Sequence, residues 1–215
     1  MSFRTGERRD GSKYRYPIKY GYVEDPMYFS QLHVSRIGAT SILDIPPVEN
    51  TNYKWKPRGG FWTSTFIPEG EFPSEWVEYA YYVGGWGADA FLLTVNSNAR
   101  IYTIDSLADL IELINKYSRE VPDYTYRGGY WNTHHVDWEK VSQDYDGVHL
   151  TSKGRGETRY TEPDIGDVWD SESTLWFRNV FTSITPYEGK LPKLKKKADE
   201  DEPSMDWKDK NIRVR

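Results

Sequence analysis

Apolar and polar residues alternate along much of this chain, and that alternation predicts short strands. Over residues 27–37 the apolar positions are Phe29, Leu32, Val34 and Ile37, with His33 set between them, so this run is read as a strand. Ser41-Ile-Leu-Asp-Ile-Pro-Pro47 predicts irregular chain or one helical turn, stopped by its prolines. Pro57-Arg-Gly-Gly60 is a turn signal feeding a strand over residues 61–67. Ser74 is placed to cap a helix over residues 75–82, which Gly84-Gly-Trp-Gly87 would end. Residues 90–95 and 100–104 are two β-rich runs separated by Asn96-Ser-Asn98, a pattern that predicts a hairpin. Asp105-Ser106 then caps a helix over residues 107–117, with Leu107, Leu110, Ile111 and Ile114 on one face. Residues 118–135 read as a loop, 136–144 as a short helix with Trp138 and Val141 turned inward, and 147–151 as a strand. Residues 153–167 are polar and glycine-containing, hence a loop, and 173–181 form a final strand.

These elements predict one α+β domain: a split antiparallel β-sheet core with a few flanking helices. Neither a βαβ alternation nor a phosphate-binding glycine signature is present, which disfavours the Rossmann and P-loop folds. The organisation expected is a basic N-terminal segment over residues 1–26, a catalytic domain over 27–188 and a charged, disordered tail over 189–215.

Composition narrows the chemistry. Aromatic residues make up 16% of the 215 positions, including 9 Trp and 17 Tyr, enough to build a core and to stack on flat ligands. There is no cysteine, so disulfides, thiolate metal sites and cysteine nucleophiles are excluded. No apolar stretch is long enough to span a membrane, and the polar start does not resemble a signal peptide, so the chain reads as cytoplasmic with no membrane partner. The net charge of −5 is uneven: residues 1–20 sum to +4 and 190–215 to +3, leaving −12 for 21–189. Basic ends on an acidic body suit either phosphate-contacting arms or solvated tails.

Glu172 stands before the apolar run Ser173-Thr-Leu-Trp-Phe177, at the mouth of a buried strand. A carboxylate there can stabilise a developing positive charge or bind a sugar hydroxyl, and a carboxylate that simply faces solvent at a strand start accounts for it as well. Asp170, two residues earlier, shares its face in extended chain and could orient an acceptor. His33 can bond a ribose hydroxyl or a neighbouring backbone group. Gly59-Gly60 permits close backbone approach, Trp62 offers a flat face, and Thr63 and Ser64 carry hydroxyls on opposite faces. A tight turn entering a core strand accounts for the glycines equally well. His134, His135 and His149 lack metal-ligand spacing, so no metal is expected.

In order, these parts resemble the ADP-ribosyltransferase superfamily, of the bacterial toxin or phage effector type. Leu32-His33-Val34 resembles the histidine strand of its H-Y-E branch. Gly59-Gly60-Phe61-Trp62-Thr63-Ser64, followed by Ser74, Tyr79, Ala80 and Tyr82, resembles the glycine–aromatic segment and the Ser/Tyr helix. Asp170-Ser171-Glu172-Ser173 resembles the segment carrying the catalytic glutamate, and Tyr145-Asp146-Gly147-Val148 the Tyr-Asp-Gly strand of bacterial and phage members. Trp62 stands where the branch has Tyr. Thr63-Ser64-Thr65 is also similar to the Ser-Thr-Ser motif of the arginine-type branch, which has Arg where this chain has His33, so the branch stays open.

The resemblance implies a sheet around an NAD cleft, with NAD as co-substrate and no metal. It implies that His33 bonds a ribose hydroxyl while the backbone at His33 and Val34 holds the nicotinamide amide. Gly60 would allow close approach, and Trp62 with Tyr79 or Tyr82 would sandwich the nicotinamide ring. Thr63 or Ser64 would position Glu172, and Glu172 would stabilise the oxocarbenium ion as nicotinamide leaves. The acceptor would be a macromolecule, protein or nucleic acid. NAD hydrolysis or RNA 2'-phosphate transfer would suit the same fold. A non-catalytic, aromatic-rich module binding a ligand or nucleic acid is the reading from another class.

Overall fold

The computed structural model describes residues 2–7, 13–18, 30–35, 44–51, 56–83, 89–122, 130–166 and 168–192. Its centre is a seven-stranded sheet. The strands are β3 (Ser30–Ser35), β4 (Phe61–Thr65), β5 (Asp89–Val95), β6 (Ile101–Ile104), β9 (Gly147–Leu150), β10 (Ser173–Trp176) and β11 (Phe181–Pro186), in the order β11-β5-β3-β4-β10-β9-β6. Every pairing is antiparallel except β6 with β9. The remaining strands form two small pairs, β1 (Ser2–Glu7) with β2 (Lys13–Ile18) and β7 (Ser118–Glu120) with β8 (His134–Val136). Thus the basic N-terminal segment, read as a phosphate-contacting arm or a solvated tail, contains a paired hairpin; in the sequence Tyr14, Tyr16 and Ile18 alternate there with Lys13 and Arg15.

The helices are α1 (Glu75–Val83), α2 (Leu107–Tyr117), α3 (Tyr130–Thr133), α4 (Trp138–Asp144) and α5 (Ser152–Glu157). α1 begins where expected, with the Ser74 hydroxyl accepting the Val77 N–H at 3.3 Å. Val77 packs with Leu32 and Ala90 on the β3–β5 half of the sheet. α2 is capped by Ser106 and buries Leu110, Leu113, Ile114 and Tyr117. With Trp138 and Val141 of α4 they join Val148, Leu150 and Leu175 in the larger core, on the β9–β10 half.

Four expectations need correction. β5 and β6 do not form a hairpin: β3 and β11 occupy both edges of β5, and β6 lies at the far end of the sheet, parallel to β9. A parallel pair needs a long crossover, and α2 to α4 supply it. Residues 118–135 are not simply a loop, since β7, α3 and the first part of β8 lie there. Residues 152–157 form α5, capped by the Thr151 hydroxyl accepting the Gly154 N–H at 2.9 Å. The last strand is two: β10 ends at Trp176, and β11 pairs with β5. The parts of the expected strand at 27–29 and 36–37, the glycine stop at 84–87 and the tail from 193 lie outside the described residues.

β3 and β4 pair at only two positions, Gln31 with Thr65 and Leu32 with Ser64. Past them the ladder stops, and the His33 imidazole meets the Trp62 carbonyl instead. The sheet is therefore joined thinly between β3 and β4, with β3, β5 and β11 on one side and β4, β10, β9 and β6 on the other.

Candidate active site

The strands carrying His33, Trp62 and the residue after Glu172 are adjacent: β3, β4 and β10. Thr63 pairs with Thr174 and Trp62 with Leu175, which carries Glu172 to the level of Ser64 and Thr65. Glu172 is 4% exposed. Its Oε2 accepts the Ser64 hydroxyl at 2.7 Å and the Thr65 backbone N–H at 3.0 Å, and its Oε1 accepts the Thr65 hydroxyl at 2.8 Å. Burial pushes the Glu172 carboxyl above the ordinary glutamate range, while these donors pull it down. A buried carboxylate with several aimed donors has its position fixed before any ligand arrives.

Ser64 is itself held, because its hydroxyl accepts the Trp76 N–H of α1 at 3.4 Å. Thr63 points the other way. Its hydroxyl donates to Gln31 at 2.5 Å and accepts the Trp176 indole N–H at 2.8 Å. Of the two candidates for positioning Glu172, the structure brings Ser64 to it.

His33 Nδ1 lies 2.9 Å from the Trp62 carbonyl. A carbonyl only accepts, so Nδ1 carries the proton and Nε2 is left as an acceptor. Burial lowers the His33 pKa, which keeps the ring neutral, and the ring lies 4.4 Å from that of Phe61. Register places His33 on the sheet face opposite Trp62 and Ser64, so the two predicted NAD-contacting rings do not share a face. Val34 packs in the smaller core.

Trp62 stands edge-on to the buried Trp169 at 4.8 Å, and the Lys56 ammonium lies 4.7 Å from its ring centroid. Lys56 also pairs with Asp170 at 3.5 Å, and the Tyr79 hydroxyl donates to Asp170 at 3.2 Å. Trp62, Lys56, Asp170 and Tyr79 thus make one rim two residues from Glu172. Tyr82 is not part of it: it is 51% exposed and packs on Phe72 and Tyr81. The Trp169 indole N–H is buried with no hydrogen-bond partner among the described residues.

Gly59 and Gly60 have φ of 68° and 65°, and a Cβ on Gly60 would lie 2.4 Å from the Leu175 side chain. Packing alone explains them. The Tyr-Asp-Gly segment is likewise architectural: Asp146 accepts the Arg100 N–H at 2.8 Å, and a Cβ on Gly147 would meet the Trp176 ring at 2.9 Å.

Glu75 and His149 are among the site residues that the sequence did not reveal. Glu75, first residue of α1, accepts the Glu172 backbone N–H at 3.1 Å. It resembled an ordinary first-turn acid, favourable to the helix dipole, and carried no signal of its role. His149 of β9 lies 3.5 Å from Glu172 Oε1 and 2.8 Å from the Thr174 hydroxyl. Burial lowers its pKa to about 4, so at neutral pH this is a contact with a neutral ring, not an ion pair. Among the described residues no cluster of three or more His, Asp or Glu is arranged to hold a metal, and no helix is long and apolar enough to cross a membrane. Comparison of the chain with protein-family models, with curated proteins and with solved structures gives no match.

Proposed function

We propose that this chain is an NAD-dependent mono-ADP-ribosyltransferase that releases nicotinamide and transfers ADP-ribose to a macromolecular acceptor. The observation that supports this most is the convergence of distant segments: His33 and Trp62 lie on adjacent strands, and the buried Glu172, at the head of the next strand, is held by Ser64. A general ligand-binding module has no need for a desolvated carboxylate held by Ser64 and Thr65.

The residues fit NAD in three respects. His33 Nε2, on the face opposite Trp62, is free to accept from a ribose hydroxyl of a ligand that reaches through the thin junction of β3 and β4. The orphaned Trp169 N–H is a buried donor that an amide or hydroxyl oxygen of a ligand would satisfy. Trp62 and Tyr79 bring aromatic rings to the Asp170 rim beside Glu172. In the reaction the bond between ribose C1'' and the nicotinamide nitrogen breaks, its electron pair leaving with nicotinamide, and the acceptor bonds to C1'' and releases its proton to solvent. Glu172, ionised, stabilises the positive charge that develops on the ribose, and Ser64 and Thr65 keep it aimed. Asp170 orients the incoming nucleophile from the rim.

Incubation with adenine-labelled NAD and, separately, DNA, RNA and cell lysate tests this reading. Label joined covalently to one acceptor class supports transfer and names the acceptor. Free ADP-ribose without incorporation would make the protein an NAD hydrolase, and intact NAD in every arm would refute both.

A further inference from the structure

We propose that Glu75 is a positioning residue for Glu172: its carboxyl grips the Glu172 backbone N–H and so fixes the head of β10 against the first turn of α1. The inference rests on the catalytic role proposed for Glu172, and it concerns a residue to which that reading assigned nothing.

The geometry joins three elements at one point. Glu75 Oε2 accepts the Glu172 N–H at 3.1 Å, and Oε1 is hydrogen bonded to the hydroxyl of Ser152, the first residue of α5. The next residue along α1, Trp76, gives its N–H to Ser64, whose hydroxyl reaches Glu172 at 2.7 Å. The first turn of α1 therefore holds Glu172 twice, once by its backbone and once through its side-chain partner. Helix packing alone requires neither contact, and both act on the residue on which the proposed chemistry depends.

Two carboxyls this close in a buried site do not both ionise readily. Glu172 has three donors on its carboxylate from β4, whereas Glu75 has the Glu172 N–H and Ser152. The charged or titratable groups facing the pair are Arg155 of α5 and His149 of β9, with Asp105 beyond His149. Arg155 eases ionisation of Glu75, but burial and repulsion from Glu172 outweigh it and hold the Glu75 pKa above its ordinary value. The two carboxyls thus titrate as a coupled pair, in which the donors from β4 favour the negative charge on Glu172. A neutral carboxyl still grips an N–H, so positioning and charge are separable.

The test uses the full chain with carboxyl-labelled glutamate and follows both side chains by NMR titration. Glu172→Gln removes the repelling charge, so the Glu75 midpoint falls by about one pH unit or more. An unmoved Glu75 midpoint overturns the coupling. In the nicotinamide-release assay Glu75→Ala lowers kcat by about 10- to 100-fold with the KM for NAD held, as expected for a misaimed group. Glu75→Gln, which keeps the acceptor oxygen, restores most of that loss. A Gln variant as impaired as the Ala variant overturns the claim that Glu75 acts by its grip on the N–H. Absence of release in the wild-type protein refutes the enzymatic reading instead, and the titration still decides the coupling of the pair.

Discussion

Replacing Ser64 by alanine removes the hydroxyl that donates to Glu172 Oε2 at 2.7 Å and accepts from Trp76 N–H at 3.4 Å. The first contact is a buried, charge-assisted hydrogen bond, of a kind worth about 1.5–3 kcal/mol. It favours the ionised carboxyl only. Its loss therefore raises the Glu172 pKa. That rise adds to the upward push of burial, which already keeps Glu172 above the ordinary range. A carboxyl with a raised pKa is protonated below it, so the acid limb of kcat moves to higher pH in Ser64→Ala. Activity lost near neutrality returns in part at alkaline pH. Stability carries the same sign. The destabilisation is largest where Glu172 is ionised and shrinks as pH falls through its folded-state pKa, because a neutral carboxyl needs the donor less. Nicotinamide release and urea denaturation, each measured from pH 5 to about 9, read the two effects independently. An acid limb unshifted from wild type, together with a destabilisation constant over that range, would refute the assignment of Ser64 as the donor that ionises Glu172.

Three further outcomes follow from the same contacts. Gly60→Ala places a Cβ at φ 65° and 2.4 Å from the Leu175 side chain, so it destabilises the fold by more than about 2 kcal/mol in urea denaturation, without NAD being involved. His149, fully buried with a pKa of about 4, stays neutral in the folded state while the unfolded chain protonates near pH 6.5. His149 therefore contributes a loss of stability of roughly 3 kcal/mol as pH falls from about 6.5 toward 4, beside a similar term from His135, and His149→Gln lessens that slope without removing it. His33→Ala removes the Nε2 acceptor but leaves Glu172 and its donors in place, so the KM for NAD rises at least tenfold, by about the 1.4 kcal/mol of one lost hydrogen bond, with a smaller change in kcat.

Where the cause was local, the sequence was readable. The Ser74 and Ser106 caps and the apolar runs of β4, β9 and β10 all express a period or a cap within a few residues, whereas of the expected α2 face only Leu110 and Ile114 are buried, with Leu113 and Tyr117 in place of Leu107 and Ile111. What could not be read was set by partners far along the chain. α5 contains two glycines in six residues and gains its place from Gly154, whose missing Cβ lets it approach the Ile104 carbonyl within 2.1 Å of where that atom would lie. β11 has a single large aliphatic residue, Ile184, and owes its existence to the free edge of β5. The hairpin signal between β5 and β6 was real as a turn, but the edges of β5 were already taken.

The site divides in the same way. Glu172, Ser64 and His33 could be named because a motif order pointed to each, and Asp170 because it stands two residues from Glu172. Glu75 and His149 could not, since each is ordinary in its own element and acquires meaning only where α1 and β9 meet β10. Nor could the sequence say that Thr63 serves Trp176 while Ser64 serves Glu172, because alternation separates their faces without naming what lies on each.

The central claim is that the Glu172 carboxylate breaks the bond to nicotinamide. Glutamine at this position keeps an acceptor oxygen for Ser64 and Thr65 and removes a buried charge, so Glu172→Gln retains the wild-type fold and is at least as stable near neutral pH. Nicotinamide release from NAD, measured beside thermal unfolding of the same samples, is the direct measurement. The account predicts release by the wild-type chain and a loss of at least about 100-fold in kcat for a fully folded Glu172→Gln protein. Equal release by the two folded proteins would contradict it.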